Sequence, residues 1–424
     1  MKIVEWSETR AVDEKGKEYI DLTAGGVFAA MFGPASEVVK TAVARVDHFC
    51  SYAPHYGNYW RDRYYELLRD FTGFESAVAF CEGTVAVEAF WRAARAYTGR
   101  PGIWGGLCDP DNVGKGGIGS PSDQFHGWTL GAMVAAGKIN YPGLGIWTEL
   151  GDGRFGTDPS RTSGMIMGPY HAPSGQFHRV DPTINRIKEQ KRLYPDILFC
   201  VDEIQGGFGR TGKFWAHEHY DDLKPEFVAA GKLAFGGFPG AVLLGPQEVM
   251  ESASVAEFGH LNSTHSGHPM VCSVGIAVIE EMIAQDLINE SARKGEALHR
   301  ALASFPVRTH GKGLMAGLEF QSRGECKRAF DLFCKHGLLV IDTGRQWIKL
   351  GPALIIDDET LARGLSILRE IVEEVVHERK PEACGNSGEV NQKVGADLSG
   401  DGIPALEAGE IGSPEDARQE GPDY

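Results

Sequence analysis

Residues 197–232 read ILFCVDEIQGGFGRTGKFWAHEHYDDLKPEFVAAGK, and they contain the two strand ends that decide the fold. The apolar run ILFCV predicts a buried parallel strand, which ends on the polar residues Asp202, Glu203 and Gln205. The short run FVAA predicts a second strand, which ends at a glycine and then Lys232. Because open α/β sheets place ligands at the carboxyl ends of their strands, we expect the acid and the lysine to meet there. Together they indicate a carbonyl cofactor that needs a charge partner and an amine partner.

The segment AVAFCEGTVAVEAFW, which begins at residue 77, predicts a strand, a tight turn and a helix. We expect Gly83 to allow the turn and Thr84 to cap the helix. A helix amino terminus with a glycine and a hydroxyl is a ready anion site, although most such turns only cap a helix. Taken alone, the segment leaves phosphate binding and simple capping both open.

Strand-like and helix-like segments alternate along most of the 424 residues, which predicts an α/β fold with a mostly parallel sheet. We expect a large domain at residues 35–280 and a smaller α+β domain at 281–380. The N-terminal segment, residues 1–34, begins with a predicted hairpin and is expected to pack with the small domain. Residues 381–424 hold ten acidic and two basic residues and many glycines, which predicts an acidic disordered tail.

The composition is that of an ordinary soluble globular protein. Asp and Glu number 58 against 42 Lys and Arg, and this net charge of −16 argues against nucleic acid and anionic membranes as partners. No apolar run reaches the length of a membrane-spanning helix, and the first residues lack a signal-type apolar core. The eight cysteines include no CxxC pair, so we expect reduced thiols and a cytoplasmic protein. The segment DLSGDG in the tail lacks the ligand spacing and closing glutamate of a calcium loop, and we expect no metal site.

The combination VDEIQGGFGRTGKFW and AAGK resembles the class III family of aminotransferases over roughly residues 10–375. This resemblance implies the cofactor pyridoxal 5′-phosphate and the fold type I architecture. Lys232 matches the lysine that forms the Schiff base with the cofactor aldehyde and then moves the Cα proton. Asp202 matches the carboxylate that pairs with the pyridinium nitrogen, and Gln205 matches the residue that hydrogen-bonds the phenolic oxygen.

Further residues match the parts of the family that hold the rest of the cofactor. Gly83 and Thr84 match the phosphate turn, which removes the ambiguity left by the local sequence. Phe125 in the FHG motif matches the aromatic residue that stacks on the pyridine ring, and we place the adjacent His126 among the cofactor contacts. Thr264 in NSTHSG matches a threonine that reaches the phosphate across a dimer interface, so the resemblance implies a homodimer with shared active sites.

The substrate side departs from the family pattern. The segment GPYHAP at 168–173 lacks the gating glutamate of the family. Lys349 in IKLGPALII stands where much of the family has an arginine for the α-carboxylate of glutamate or 2-oxoglutarate, and lysine cannot form the same bidentate fork. The candidate substrate residues are Phe28, Tyr170, Arg345 and Lys349, and the identity of donor and acceptor stays open.

The motifs predict a transaminase that works in two half-reactions on small amine or amino acid donors and oxo-acid acceptors. Three other reactions on the same scaffold share every cofactor residue: racemisation or epimerisation, intramolecular amino transfer, and decarboxylation. A catalytically silent binding protein is a further alternative, which the intact Lys232 and Asp202 disfavour. A Rossmann nucleotide binder is disfavoured because no GxGxxG follows a strand with an acid beyond it.

Overall fold

The secondary structure alternates strands and helices as the sequence predicts. The structure is a computed structural model that describes residues 1–49, 56–108, 124–138, 146–150, 159–257 and 261–378. Within these ranges the strands are β1 (Ile3–Trp6), β2 (Arg10–Asp13), β3 (Glu18–Asp21), β4 (Ser76–Phe80), β5 (Gly102–Cys108), β6 (Ile146–Leu150), β7 (Thr162–Met167), β8 (Leu198–Asp202), β9 (Phe227–Gly231), β10 (Ala241–Gly245), β11 (Arg308–Lys312), β12 (Met315–Glu319), β13 (Leu338–Leu339), β14 (Ile341–Asp342) and β15 (Trp347–Leu350). The helices of the same ranges are α1 (Glu37–Ala44), α2 (Tyr59–Thr72), α3 (Gly83–Thr98), α4 (Leu130–Ala135), α5 (Asp181–Leu193), α6 (Gln247–Met250), α7 (Ala253–Glu257), α8 (Pro269–Ala284), α9 (Leu287–Leu302), α10 (Arg323–Lys335) and α11 (Asp358–His377).

A mixed central sheet carries the site. In the part of the chain that the structure describes, it has seven strands in the order β4-β10-β9-β8-β7-β5-β6. Neighbours from β9 to β6 run parallel, whereas β10 runs antiparallel to both β9 and β4. Every residue of β8 and β9 is buried, as expected for continuous apolar runs in a sheet that is covered on both faces.

The two faces of the sheet belong to different parts of the core. Side chains alternate between the faces of a strand, so Ala229 packs in one apolar cluster while Val228 and Ala230 pack in another. Helix α3 contacts β10, β9 and β7 and shares the first cluster. The long apolar helix α8 belongs to the second cluster and also contacts α1 and α2. This packing holds the carboxyl ends of β8 and β9 side by side.

Two smaller sheets lie outside the central one. Within the described residues their strand orders are β1-β2-β3-β13 and β11-β12-β15-β14. The predicted N-terminal hairpin is present as β2 and β3, and β3 continues into a parallel pairing with β13. Met1–Arg379 form one compact unit.

Two predictions about the organisation of the chain are not tested by the described residues. The division into an N-terminal segment, a large domain and a small domain stays a prediction. The predicted acidic tail at 381–424 lies outside the described residues. Among the helices that are described, none is both long and apolar enough to cross a membrane.

Candidate active site

A cavity of about 390 Å³ opens where β8 and β9 end. The structure brings eight of the predicted site residues to its wall: Gly83, Thr84, Phe125, His126, Tyr170, Asp202, Gln205 and Lys232. Its size and polar corners suit a small ligand that is held by a few placed groups. The strand ends that the sequence singled out therefore converge on one site.

Asp202 and His126 form a buried pair at the floor of the cavity. The carboxylate is 7% exposed and the imidazole 1% exposed. Because a carboxylate only accepts hydrogen bonds, Nδ1 of His126 carries a proton and donates to Oδ2 of Asp202 at 2.9 Å. The second oxygen, Oδ1, accepts from the backbone N–H of Ile204 at 3.1 Å. These two bonds orient the carboxylate, and among the described residues the buried Nε2 of His126 has no hydrogen-bond partner.

Glu203, the next residue, has a different role from Asp202. Its carboxylate is 1% exposed and accepts three hydrogen bonds, from the backbone N–H groups of Ala216 and His217 and from Nδ1 of His217, at 2.8–3.0 Å. Such a fully paired buried acid holds the following loop in place and has no free oxygen for chemistry. Of the acids that end β8, only Asp202 serves the cavity.

Lys232 stands immediately after β9 in a strained backbone conformation. Its φ angle is 50°, in the left-handed region that a non-glycine residue seldom adopts. Strain of this kind clusters at functional sites, where the surrounding structure enforces it. The side chain is half-buried at the cavity wall. Burial lowers the pKa of its ammonium group below the usual value, and the Asp202 carboxylate opposes that shift.

The amino terminus of α3 faces the same cavity through Gly83 and Thr84. The expectation that Thr84 caps this helix was wrong, because the helix begins one residue earlier and the extended Glu82 occupies the cap position. Glu82 makes no side-chain capping bond, so the first helical N–H groups are not capped by it. Gly127 approaches Thr84 so closely that a Cβ atom would lie 2.4 Å from the Thr84 Oγ1, and its φ of 118° also requires glycine.

Two polar residues that the sequence analysis missed fix the hydroxyl of Thr84. Thr129 donates to the Glu88 carboxylate at 2.7 Å, and its Oγ1 lies 2.8 Å from the Oγ1 of Thr84. Because the Thr129 proton is used by Glu88, Thr84 is the donor in the second bond. The i, i+4 spacing of Thr84 and Glu88 on a predicted helix was the available signal.

Phe125 forms an aromatic wall with Trp128 and Lys138. Phe125 is 37% exposed, and its ring meets that of Trp128 edge to face at 5.5 Å between centroids. Nζ of Lys138 lies 3.9 Å and 3.8 Å from the two ring centroids. Burial, and next to it the charge of Arg345, lowers the pKa of Lys138 to about 8. The sequence analysis did not identify Lys138, because its contact with the two rings depends on how the chain folds between them.

The opposite wall is built from residues that bind one another. Tyr170 is buried, and its hydroxyl donates to Oε1 of Gln205 at 3.3 Å. Nζ of Lys349 donates to the same Oε1 at 2.9 Å and to the carbonyl oxygen of Ala172 at 2.6 Å. The ring of Phe28, fully buried, lies 4.9 Å from Nζ of Lys349.

Four predicted site residues are not among those described residues that line the cavity: Phe28, Thr264, Arg345 and Lys349. Phe28 and Lys349 lie behind the wall that contains Tyr170 and Gln205. The guanidinium of Arg345 lies 5.9 Å from the ring centroid of Trp347. Thr264 is exposed on the surface of the single chain. Their predicted roles stay predictions.

Arg210, in the FGRTG segment, is a buried residue whose importance the sequence analysis did not identify. Its side chain is fully buried, and Nη1 donates to the carbonyl oxygens of Leu314 and Pro352 at 3.0 and 2.6 Å. Burial lowers its pKa to about 9. Through these bonds Arg210 ties the loop after β8 to the loops before β12 and after β15.

The residues around the cavity fit pyridoxal phosphate. A carboxylate held by two hydrogen bonds suits a protonated ring nitrogen, and an uncapped helix terminus beside glycines suits a phosphate. The half-buried Lys232 supplies the primary amine that an aldehyde needs. Phe125 offers an exposed aromatic face.

Comparisons with known proteins agree with this fit. Residues 157–372 match the family described as "Aminotransferase class-III". The chain is 29% identical over 387 residues to the acetylornithine aminotransferase of Aquifex aeolicus, covering 88% of this chain and 97% of that one. It is 28% identical over 379 residues to a succinylornithine transaminase of Salmonella paratyphi A, covering 84% and 88%.

Solved structures show the same fold. The omega transaminase from Pseudomonas jessenii in complex with PMP superposes with a TM-score of 0.77 at 17% identity, over 90% of this chain and 94% of that one. The ornithine aminotransferase of Toxoplasma gondii superposes with a TM-score of 0.75 at 22% identity, over 89% and 91%.

The chain belongs to the class III aminotransferases. It is a pyridoxal-phosphate-dependent enzyme that transfers amino groups and has the fold type I architecture. The predicted family, fold class, cofactor and type of reaction are confirmed. The roles of the individual residues around the cavity, the substrates and the oligomeric state are separate questions.

Proposed function

We propose that this cavity is the transamination site and that Lys232 carries the reacting proton. The observation that carries the proposal is the meeting of Lys232, the Asp202–His126 pair and the α3 terminus around one cavity. Asp202 would hold the ring nitrogen of the cofactor, Gly83 and Thr84 its phosphate, Gln205 its phenolic oxygen and Phe125 its ring face.

The chain's own groups supply proton transfer and positioning. When bound, pyridoxal phosphate supplies an electron-withdrawing ring that stabilises negative charge on the substrate carbon that loses a proton. Lys232 takes up that proton at Nζ, and its lowered pKa increases the fraction of the neutral amine that can do so. The His126 hydrogen bond keeps the Asp202 carboxylate oriented toward the cavity.

The proposed substrates are an amine or amino acid donor and an oxo-acid acceptor. The relatives named for acetylornithine and succinylornithine make these compounds and ornithine the first donors to test. Glutamate needs a separate arm, since Lys349 stands in place of the usual arginine and already donates to Ala172 and Gln205.

The test is a single half-reaction. Protein loaded with pyridoxal phosphate is mixed with each donor in the absence of any oxo acid, and the absorption spectrum is followed. We expect at least one donor to convert the cofactor to its aminated form, with release of one oxo product per site. Racemisation or decarboxylation of the donors without that conversion would replace transamination with another reaction on the same scaffold.

We also propose a homodimer in which Thr264 reaches the phosphate of the partner subunit. The exposed position of Thr264 in the single chain and the family resemblance support this proposal. Light scattering should give twice the mass of the chain, and Thr264→Ala should weaken cofactor binding without changing that mass. A monomer that binds the cofactor at full affinity would refute it.

A cytoplasmic location completes the proposal. It is supported by the free cysteines of the described ranges, namely Cys81, Cys200, Cys272, Cys326 and Cys334. Cell fractionation should recover the protein with cytoplasmic markers and with all its thiols titratable after denaturation.

A further inference from the structure

Lys349 is a buried lysine with fixed hydrogen-bond partners. It lies on β15 and is 4% exposed. Its Nζ donates to the carbonyl oxygen of Ala172 at 2.6 Å and to Oε1 of Gln205 at 2.9 Å. The ring of Phe28 lies beside the same Nζ, at 4.9 Å from its centroid.

These bonds decide which way the amide of Gln205 faces. The two ends of a glutamine amide look alike in shape, so its orientation follows from its partners. The ammonium form of Lys349 only donates hydrogen bonds, and it donates to the oxygen of the amide at 2.9 Å, which places the NH₂ group on the other side. The hydroxyl of Tyr170 donates to the same oxygen at 3.3 Å. With Oε1 occupied on both sides, the NH₂ group of Gln205 is left to face the cavity that Gln205 lines.

We propose that Lys349 is a positioning residue that fixes the amide of Gln205 so that its NH₂ group points into the active site. The inference rests on the proposed function, in which Gln205 donates to the phenolic oxygen of the cofactor. Without Lys349 the amide can turn over, and its oxygen then faces the electron-rich oxygen of the cofactor. Lys349 acts through Gln205 and does not itself touch the cofactor.

The same contacts distinguish Lys349 from a carboxylate anchor, that is, a residue that binds the carboxylate of a substrate. An anchor needs N–H groups that are open to the substrate. Nζ of Lys349 instead bonds two groups of the protein and packs against Phe28, and Lys349 is not among the described residues at the cavity wall. These contacts favour a positioning role for Lys349 over that of a carboxylate anchor.

A double-mutant cycle between Lys349 and Gln205 tests this inference. The variants are Lys349→Met, Gln205→Ala and both together, with exposed Lys224→Met as the control for loss of a lysine charge. The readouts are the dissociation constant of pyridoxal phosphate from the cofactor-free protein and the pH midpoint of the bound cofactor's visible absorption band.

We expect each single variant to weaken cofactor binding by about tenfold, which corresponds to the loss of one hydrogen bond to a charged oxygen. Each should also move the absorption midpoint to higher pH, because the phenolic oxygen then holds its proton more strongly. In the double variant the change should stay within about twofold of Gln205→Ala alone. Lys224→Met should match the unmodified protein.

Additive effects in the double variant, on the order of a hundredfold, would overturn the inference, since Lys349 would then act by its charge through space. A raised KM for carboxylate substrates with unchanged cofactor binding and absorption would also overturn it and identify an anchor. If Gln205→Ala changes neither readout, the proposed placement of Gln205 on the cofactor fails first, and the inference fails with it.

Tyr170→Phe provides a second test of the inference in case the Lys349 variant does not fold. It removes the second donor to Oε1 and keeps the aromatic ring. We expect a shift of the absorption midpoint in the same direction as Lys349→Met but smaller, because the 3.3 Å bond is longer and carries no charge. A shift in the opposite direction would contradict the proposed orientation of the amide.

Discussion

Two lysines near the cavity are in opposite situations, one at its wall and one behind it. Lys232 follows β9, keeps a strained φ of 50° and faces the cavity beside Asp202. Lys349 on β15 is more deeply buried and bonds Ala172 and Gln205. The polar groups around Lys232 are open to a ligand, whereas those around Lys349 are hydrogen-bonded to one another. Burial alone therefore does not distinguish a catalytic lysine from a structural one. The groups that the N–H donors of the lysine face make this distinction.

Replacement of Lys232 should give the largest effect. Lys232→Ala removes the group that we propose moves the proton, and we expect kcat to fall by about 10³-fold or more, with folding retained. Steady-state rates and the cofactor absorption spectrum check this. Lys224→Ala, at an exposed position, serves as the control and should keep both. Near-normal turnover by Lys232→Ala would contradict the proposed difference between Lys232 and Lys349.

The neighbours Asp202 and Glu203 should separate chemistry from stability. Asp202→Asn removes the charge that we propose faces the cofactor, and we expect kcat to fall by about 10²- to 10³-fold with little change in Tm. Glu203→Gln loses part of a three-bond cluster, and we expect it to lower the free energy of unfolding by about 1–3 kcal/mol while cofactor binding persists. Thermal unfolding and kinetics on both variants give the answer. The reverse assignment of effects would show that Glu203 is the functional acid.

Gly127→Ala should weaken the phosphate side. The new Cβ would lie 2.4 Å from Oγ1 of Thr84, in a backbone region that alanine seldom adopts. We expect a cost of about 1–3 kcal/mol in the free energy of unfolding and a measurable rise in the cofactor dissociation constant. Gly99→Ala at the other end of α3 is a matched control, because its φ is 68° and its Cβ would meet nothing within 4 Å. Equal cofactor affinities in the two variants would show that the Gly127–Thr84 contact does not affect cofactor binding.

A further prediction concerns the charge of Lys349. Burial, with the charges of Lys232 and Arg210, lowers its pKa from 10.5 to about 7. Between these values the unfolded chain binds more protons than the folded one, so this lysine makes the free energy of unfolding rise with pH. In urea unfolding of the cofactor-free protein, the free energy of unfolding should therefore rise relative to that of Lys349→Met between about pH 7 and about pH 10. A pH-independent difference would contradict the lowered pKa.

The sequence predicted the strand ends that carry Asp202 and Lys232 well because its signals are local. Asp202 and Lys232 end apolar runs whose length and content define buried strands, and Gly83 lies in a recognisable strand–turn–helix segment. The cap of α3 was missed by two residues, because the hydroxyl of Thr84 bonds Thr129 and Glu82 occupies the cap position without a side-chain capping bond.

The wall that contains Tyr170 and Gln205 could not be predicted in the same way. The bonds of Lys349 join residues that are 144 and 177 positions apart. The different fates of Asp202 and Glu203 depend on a loop that follows β8 and returns its backbone N–H groups to Glu203. The Lys349–Gln205 bond arises from the packing of the β8 loop against β15, and the Glu203 bonds arise from the fold of the loop itself. No periodicity in these segments predicts either set of bonds.

The most direct measurement is to fix the cofactor to its lysine. The loaded protein is treated with borohydride, which makes a lysine–cofactor linkage permanent, and the labelled peptide is identified by mass spectrometry. The account predicts one label per chain, on Lys232. A label on Lys349 or on any other lysine, or no label in a protein that holds the cofactor, would contradict it.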